Sequence, residues 1–315
     1  MSDDAHRPLV SIVSPMWNEA ESADAFLSAV TSQADGLAQV RVEILIVDDG
    51  STDGTAEILS SWHERRPDVK VIHLSRNFGH QAAITAGVFE AAGDAVIVMD
   101  ADLQDPPELI GPMIDRWLNG VDVVYAVRTE RHGETWFKRV TASAYYRVLR
   151  WLSDTDIPPD TGDFRLMTRP VVEALRAMPE RDRYMRGMVS WVGFRQQPIT
   201  FERSERFAGK TKYSLGRMVR LGLAGVVGFS DKPLYLAVTW GFAILGLSVL
   251  GLLYILASIV FGWGEVVRGW TSMVIAVMFF SAVQLIFLGV IGLYISRIFV
   301  ESKGRPLYVI RQRRV

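Results

Sequence analysis

Along the first 127 positions, short unbroken apolar runs alternate with stretches whose apolar residues recur at helical spacing. The runs fall at residues 10–14, 42–48, 69–74, 95–100 and 121–127. They are rich in Val and Ile and too short for helices, the pattern of strands buried on both faces. Between them, residues 20–33, 55–66, 81–92 and 108–119 carry one apolar and one polar side, as amphipathic helices do. This rhythm predicts an α/β fold: a doubly wound, mostly parallel sheet with helices on both faces. From residue 128 to 201 the pattern loosens. A helix is expected over residues 136–152, and the turn cluster at 157–162 would place Asp163 and Arg165 at the start of a short strand.

The tail follows a different rule. Residues 233–264 and 269–296 contain no charged side chain, and crossing a bilayer takes about 20 apolar residues. Two antiparallel spans are expected, about 233–261 and 270–296, joined by Glu265-Val266-Val267-Arg268. Arg217, Arg220 and Lys232 precede them; Arg297, Lys303, Arg305, Arg311, Arg313 and Arg314 follow. The connector holds one Arg, so the positive-inside rule puts both flanks in the cytoplasm. Residues 213–229 read as a helix lying in the membrane interface. Residues 1–8 lack the apolar stretch of a secretory signal. The expected order is a cytosolic catalytic domain (1–212), an interfacial helix (213–229), a transmembrane hairpin (230–300) and a basic cytosolic tail (301–315), in an inner or plasma membrane.

Composition narrows the chemistry. The chain has no cysteine among its 315 residues, which excludes a disulfide framework and a thiolate metal site. A formal net charge of −1 gives no cue to a nucleic-acid partner. No G-x-G-x-x-G follows the first run and no Walker A motif occurs, so dinucleotide and P-loop readings have no support.

Acids gather where the apolar runs end. Asp100, Asp102 and Gln104 follow the run at 95–99 and offer hard oxygen ligands. Such ligands suit Mg²⁺ or Mn²⁺, which bind through a few carboxylates together with a substrate's phosphates. Asp48-Asp49-Gly50-Ser51 ends a second run, and Pro15-Met16-Trp17-Asn18-Glu19 ends a third. Carboxylates are thus delivered to one sheet edge, the C-terminal one, where open α/β sheets bind ligands.

Those motifs, with Ser75-Arg76-Asn77-Phe78-Gly79 and Thr161-Gly162-Asp163-Phe164-Arg165-Leu166, resemble the inverting, nucleotide-sugar-dependent glycosyltransferases of family 2, GT-A type. The closer likeness is to the polyprenyl-phosphate glycosyltransferases, which include dolichyl-phosphate mannose synthase and the bactoprenol glucosyltransferases. The resemblance implies a donor site at Pro15, Glu19, Asp48, Asp49, Arg76, Asp100 and Asp102, with Mg²⁺ or Mn²⁺ on Asp102 and Gln104. It implies catalytic roles for Asp100, Asp102, Asp163 and Arg165. A polyprenyl phosphate keeps its tail in lipid and its phosphate at headgroup level. Arg165 and the cluster Arg203, Arg206, Lys210 and Lys212 are the groups expected to bind that phosphate. A UDP-sugar is favoured, UDP-glucose first, with undecaprenyl phosphate as acceptor and a homo-oligomer as analogy. A processive polysaccharide synthase would carry Gln-x-x-Arg-Trp; here Arg150-Trp151 is preceded by Arg147. A non-catalytic membrane scaffold that binds nucleotide sugar is the remaining alternative class.

Overall fold

The computed structural model describes residues 7–128, 161–181, 183–201 and 269–314, with isolated helical positions between 239 and 261. The expected helix at 136–152, the interfacial helix at 213–229, most of the first span, and Arg203, Arg206, Lys210 and Lys212 lie outside the described residues. The chain divides into two compact units, one of residues 1–147, 155–214 and 305–315, the other of 148–154 and 215–304.

In the first unit the predicted rhythm is realised. β1 (Leu9–Met16), β2 (Arg41–Asp48), β3 (Val69–Leu74) and β4 (Ala95–Val98) alternate with α1 (Ala23–Asp35), α2 (Thr55–Arg65) and α3 (His80–Glu90). A 3₁₀ turn (Pro107–Leu109), α4 (Ile110–Leu118) and β5 (Val123–Arg128) follow, then β6 (Thr161–Thr168), α5 (Arg169–Ala177), α6 (Met185–Trp191) and β7 (Gln196–Phe201). The eight-stranded sheet runs β7-β5-β6-β4-β1-β2-β3-β8. Its centre, β4-β1-β2-β3, is parallel, with Val13 opposite both Leu45 and Val98. Buried side chains of α1, α2 and α4 pack on one face, and those of α3, α5 and α6 on the other.

Two features depart from the mostly parallel sheet. β6 lies between β4 and β5 and is antiparallel to both, so β5 joins the sheet only through β6 and β7. The second departure is β8 (Ile310–Arg314), in the segment expected to be a basic tail; it pairs antiparallel with β3 at the sheet's far edge. Its Arg side chains hide it from run-based reading, yet arginine-rich strands suit an exposed edge because charge deters pairing with other chains. β4 also ends at Val98, short of the predicted 100, which leaves Asp100 in the loop beyond the strand.

In the second unit, α7 (Trp270–Ser302) covers the expected second span. Within it, Phe279–Ser302 has a mean hydropathy of 2.0, and none of its most apolar window is buried. A soluble core helix of that composition would be covered.

At Gly87, α3 lies close against the sheet. A Cβ there would overlap Val13 Cγ1 on β1 and stand 3.0 Å from Val47 Cγ2 on β2. Both valines are fully buried and stiff at χ1. Gly87→Ala should therefore destabilise the chain by about 1–3 kcal/mol, the cost of overpacking a dense core. A denaturant midpoint equal to wild type would contradict this packing.

Candidate active site

The site is built at the C-terminal ends of β1, β2 and β4. After β2 the chain must turn sharply, and Gly50 provides the turn with φ +67°. A side chain there would also collide with the backbone of Arg76, 2.8 Å from its Cα. Asp48 and Asp49 on either side of the strand end are both buried. Asp48 accepts the Ser51 amide at 2.9 Å and pairs with His73 Nδ1 at 2.8 Å. Burial pushes the Asp48 carboxyl up, but these bonds outweigh it and leave it lowered. Asp49 accepts the amides of Phe78 and Gly79 at 2.7 and 2.9 Å, which fixes the loop after β3. Its burial is not fully offset, so its carboxyl titrates above the ordinary value. After β1, Asn18 takes a left-handed φ of 54° and accepts the Thr52 amide at 2.8 Å.

A cleft of about 460 Å³ opens between these ends, within the range of small-molecule sites. Pro15, Glu19, Asp49, Asp100 and Asp102, all predicted donor residues, line it. Glu19 is oriented by the Ser22 hydroxyl, which donates to Oε2 at 2.6 Å. The other two predicted donor residues, Asp48 and Arg76, face a neighbouring cavity of about 970 Å³ instead. Arg76 stacks over the Phe78 ring with its guanidinium 4.0 Å from the centroid. Trp17, half exposed, lines both spaces.

At the cleft's side stands Asp163, 4 % exposed, on β6. Phe164 points into the opposite core layer, so strand alternation turns Asp163 and Arg165 toward α3 and α6. Arg186 on α6 grips Asp163 in fork geometry, Nε to Oδ1 at 2.9 Å and Nη2 to Oδ2 at 3.0 Å. His80 Nε2 lies 3.3 Å from Asp163 Oδ2 and 3.5 Å from Asp100 Oδ1, and it lines the cleft. Gln81 Nε2 is 3.4 Å from the same Asp163 oxygen, while its Oε1 accepts the Met185 amide at 3.0 Å. Burial pushes the Asp163 carboxyl up, yet the bonds from His80 and Arg186 hold it well below the usual carboxylate range. Burial disfavours the His80 imidazolium, but Asp163 and Asp100 overcome it and raise its pKa. Asp100 is pushed up by burial, more than His80 draws it down. Arg165 is buried beside Asp163, donates to the Gly162 carbonyl at 2.9 Å, and is lowered by burial to about 10.

The sequence profile of Glycosyl transferase family 2 matches residues 11–176, the span that carries every one of these groups except Arg186 and Gln81's partner Met185. The chain belongs to that family. An uncharacterized glycosyltransferase of Bacillus subtilis is 46 % identical over 96 % of this chain and 93 % of its own length. A prophage bactoprenol glucosyl transferase homolog of Escherichia coli is 38 % identical over 96 % of this chain and 98 % of its own. Among solved structures, a mannosyltransferase of Pyrobaculum calidifontis, in complex with GDP-Man and Mn²⁺, superposes with a TM-score of 0.51. It covers 93 % of this chain and 88 % of its own at 19 % identity, a likeness of GT-A fold.

In this glycosyltransferase the donor set after β4 fits a hard divalent cation. Gln104 is buried, outside the cleft's lining residues, with Oε1 lacking a hydrogen-bond partner, while Asp100 Oδ1 has no hydrogen bond but stands 3.5 Å from His80 Nε2. A buried oxygen left unbonded, as Gln104 Oε1 is, costs about 1–3 kcal/mol, and a cation would relieve that cost. Among the described residues no three His, Asp or Glu side chains form a ready-made cage.

Sequence reading missed His80, Gln81 and Arg186. His80 directly follows the Ser75–Gly79 motif and could have been drawn from it. Nothing in the sequence ties Arg186 to a carboxylate 23 positions earlier, because α6 brings it there only in three dimensions. Arg186→Gln should strand a buried charge, which costs roughly 3–5 kcal/mol, toward the low end because Arg186 is 32 % exposed. Asp163 has a depressed folded pKa, so its contribution is complete above its ordinary 3.8 and is lost as pH falls through the lower folded value. The stability gap between wild type and Arg186→Gln, followed by denaturant melts, should thus be widest near neutrality and close in acid. A gap independent of pH would refute the ion pair as its cause.

Proposed function

We propose that this enzyme transfers a single sugar, glucose from UDP-glucose as first choice, onto a polyprenyl phosphate with inversion at the anomeric carbon. The carrying observation is the cleft where Glu19, Asp49, Asp100 and Asp102 converge beside the ionised Asp163–Arg186 pair. The full-length likeness to proteins named bactoprenol glucosyl transferase supports the acceptor, as does an apolar helix long enough to cross a membrane. The two-span anchor, with both flanks and the catalytic unit in the cytoplasm, is part of this proposal. So are the roles of Arg203, Arg206, Lys210 and Lys212 in holding the acceptor phosphate, and any homo-oligomer.

In this reading Pro15, Glu19 and Asp49 hold the nucleoside, and Asp100 and Asp102 face the diphosphate. Asp102 and Gln104 would hold Mg²⁺ or Mn²⁺. When bound, the cation supplies Lewis-acid stabilisation of the charge that develops on the leaving diphosphate. A phosphate oxygen of the acceptor attacks the anomeric carbon as the bond to the nucleoside diphosphate breaks. That phosphate is largely dianionic at neutral pH, with a second pKa near 6 for phosphate monoesters, so it has no proton to lose. Asp163, held ionised by the bonds from Arg186 and His80, is a weak proton acceptor. Its part is to hold the Arg186 guanidinium and the His80 ring in place, groups that can donate to the acceptor phosphate. Arg165 is buried deeper and backs this arrangement.

A transfer assay in detergent tests the reading, with undecaprenyl phosphate, Mg²⁺ or Mn²⁺, radiolabelled UDP- and GDP-sugars and lipid extraction. Label should enter the organic phase from one donor, be abolished by EDTA, and fall at least about a hundredfold in Asp102→Ala, the scale of a lost electrostatic stabiliser. Donor binding without lipid labelling would leave the scaffold reading standing.

A further inference from the structure

The loop that walls the donor cleft is held from two directions. On the cleft side, Asp49 binds the amides of Phe78 and Gly79. On the other, the carbonyl of Val309, just before β8, accepts the Ser75 amide at 2.8 Å where β3 ends. Between these fixed points run Arg76 and Asn77, and Asn77, Gly79 and His80 line the cleft.

β8 is itself fastened to the elements on which that loop is mounted. It pairs with β3 through a register shift between His73 and Leu74, next to the loop. Arg313 binds Glu90 at the end of α3 with two contacts of 2.9 Å. Arg314 stands 3.9 Å from Glu64 on α2. Tyr308 and Ile310 pack against the core layer that contains α3. Arg311 and Gln312 line the larger cavity with Asp48, Arg76 and Trp17, and Trp17 also lines the donor cleft.

We infer that residues 309–314 are a positioning element of the donor site. They hold the 75–79 loop against Asp49, so nucleotide-sugar affinity depends on a segment that follows the apolar helix in sequence. Without it, the Ser75 amide and the edge of β3 lose their partners, and the loop must be ordered when donor binds. That ordering subtracts from affinity. The inference rests on the cleft being the nucleotide-sugar site. It also separates this strand from a passive clip, which would affect folding and every substrate alike.

The test uses the full chain in detergent and titrates UDP-glucose, then other UDP- and GDP-sugars, with Mn²⁺ by calorimetry and no acceptor. It therefore does not depend on transfer. A chain ending at Gly304, which should melt lower because it loses β8 and the packing of Tyr308 and Ile310, should bind donor about tenfold more weakly, ~1.4 kcal/mol, when titrated at a temperature where it remains folded. Arg313→Glu, which opposes Glu90 with a like charge, should weaken binding about threefold, the scale of an exposed pair. The exchanged pair Glu90→Arg with Arg313→Glu should restore it. Unchanged donor affinity in the shortened chain, or a loss in Arg313→Glu that the exchanged pair leaves unrepaired, would overturn the inference. A wild-type chain that binds no sugar nucleotide would overturn the cleft's assignment instead, and the inference with it.

Discussion

A single buried carboxylate dictates how this site is assembled. Asp163 is 4 % exposed, and an uncompensated charge at that depth would cost several kcal/mol. Arg186 from α6 and His80 from α3 supply the compensation, so three elements distant in sequence must meet before any of them is stable there. His80 reaches Asp100 as well as Asp163. One chain of close polar contacts therefore joins Asp100, beyond the end of β4, through His80 and Asp163 to the helix that carries Arg186. The same interaction limits the chemistry. A carboxylate stabilised in its charged form is poorly suited to take a proton and well suited to fix cations in place.

The sheet supplies the rest of the geometry. Parallel β1, β2 and β4 end at one level, which is why Glu19, Asp49, Asp100 and Asp102 share a cleft. β6 enters antiparallel beside β4, with Arg165 opposite Val98, and so delivers Asp163 to the same edge from the opposite chain direction. At the far edge β8 closes the sheet after the chain has passed through its long apolar helix. The catalytic unit is thus discontinuous in sequence, and the apolar segment is inserted before its last strand.

Much of this was legible in the sequence, for identifiable reasons. Parallel strands buried on both faces read as unbroken Val and Ile runs, so β1 to β5 were found within a few residues of their bounds. Acids at strand ends stood out because apolar runs framed them. Other features left no local trace. An antiparallel strand inserted between β4 and β5 is set by long-range pairing, not by periodicity. β8 is mostly Arg and Gln, and its apolar packing comes from Ile310 and the preceding Tyr308. Arg76 and Asp48 belong to the donor motifs by sequence, and they line the adjacent cavity, with Arg76 stacked on Phe78. The Asp163–Arg186 pair was hidden because neither residue carries a motif that names the other.

The stereochemistry of the lipid product tests the central claim most directly. One displacement at the anomeric carbon of an α-linked nucleotide sugar must give a β-linked polyprenyl phosphate sugar. Proton NMR of the purified glycolipid, read at the anomeric coupling, should show the β-configuration alone. An α-linked product, or free sugar with no glycolipid formed, would contradict direct attack by an acceptor phosphate held at this site.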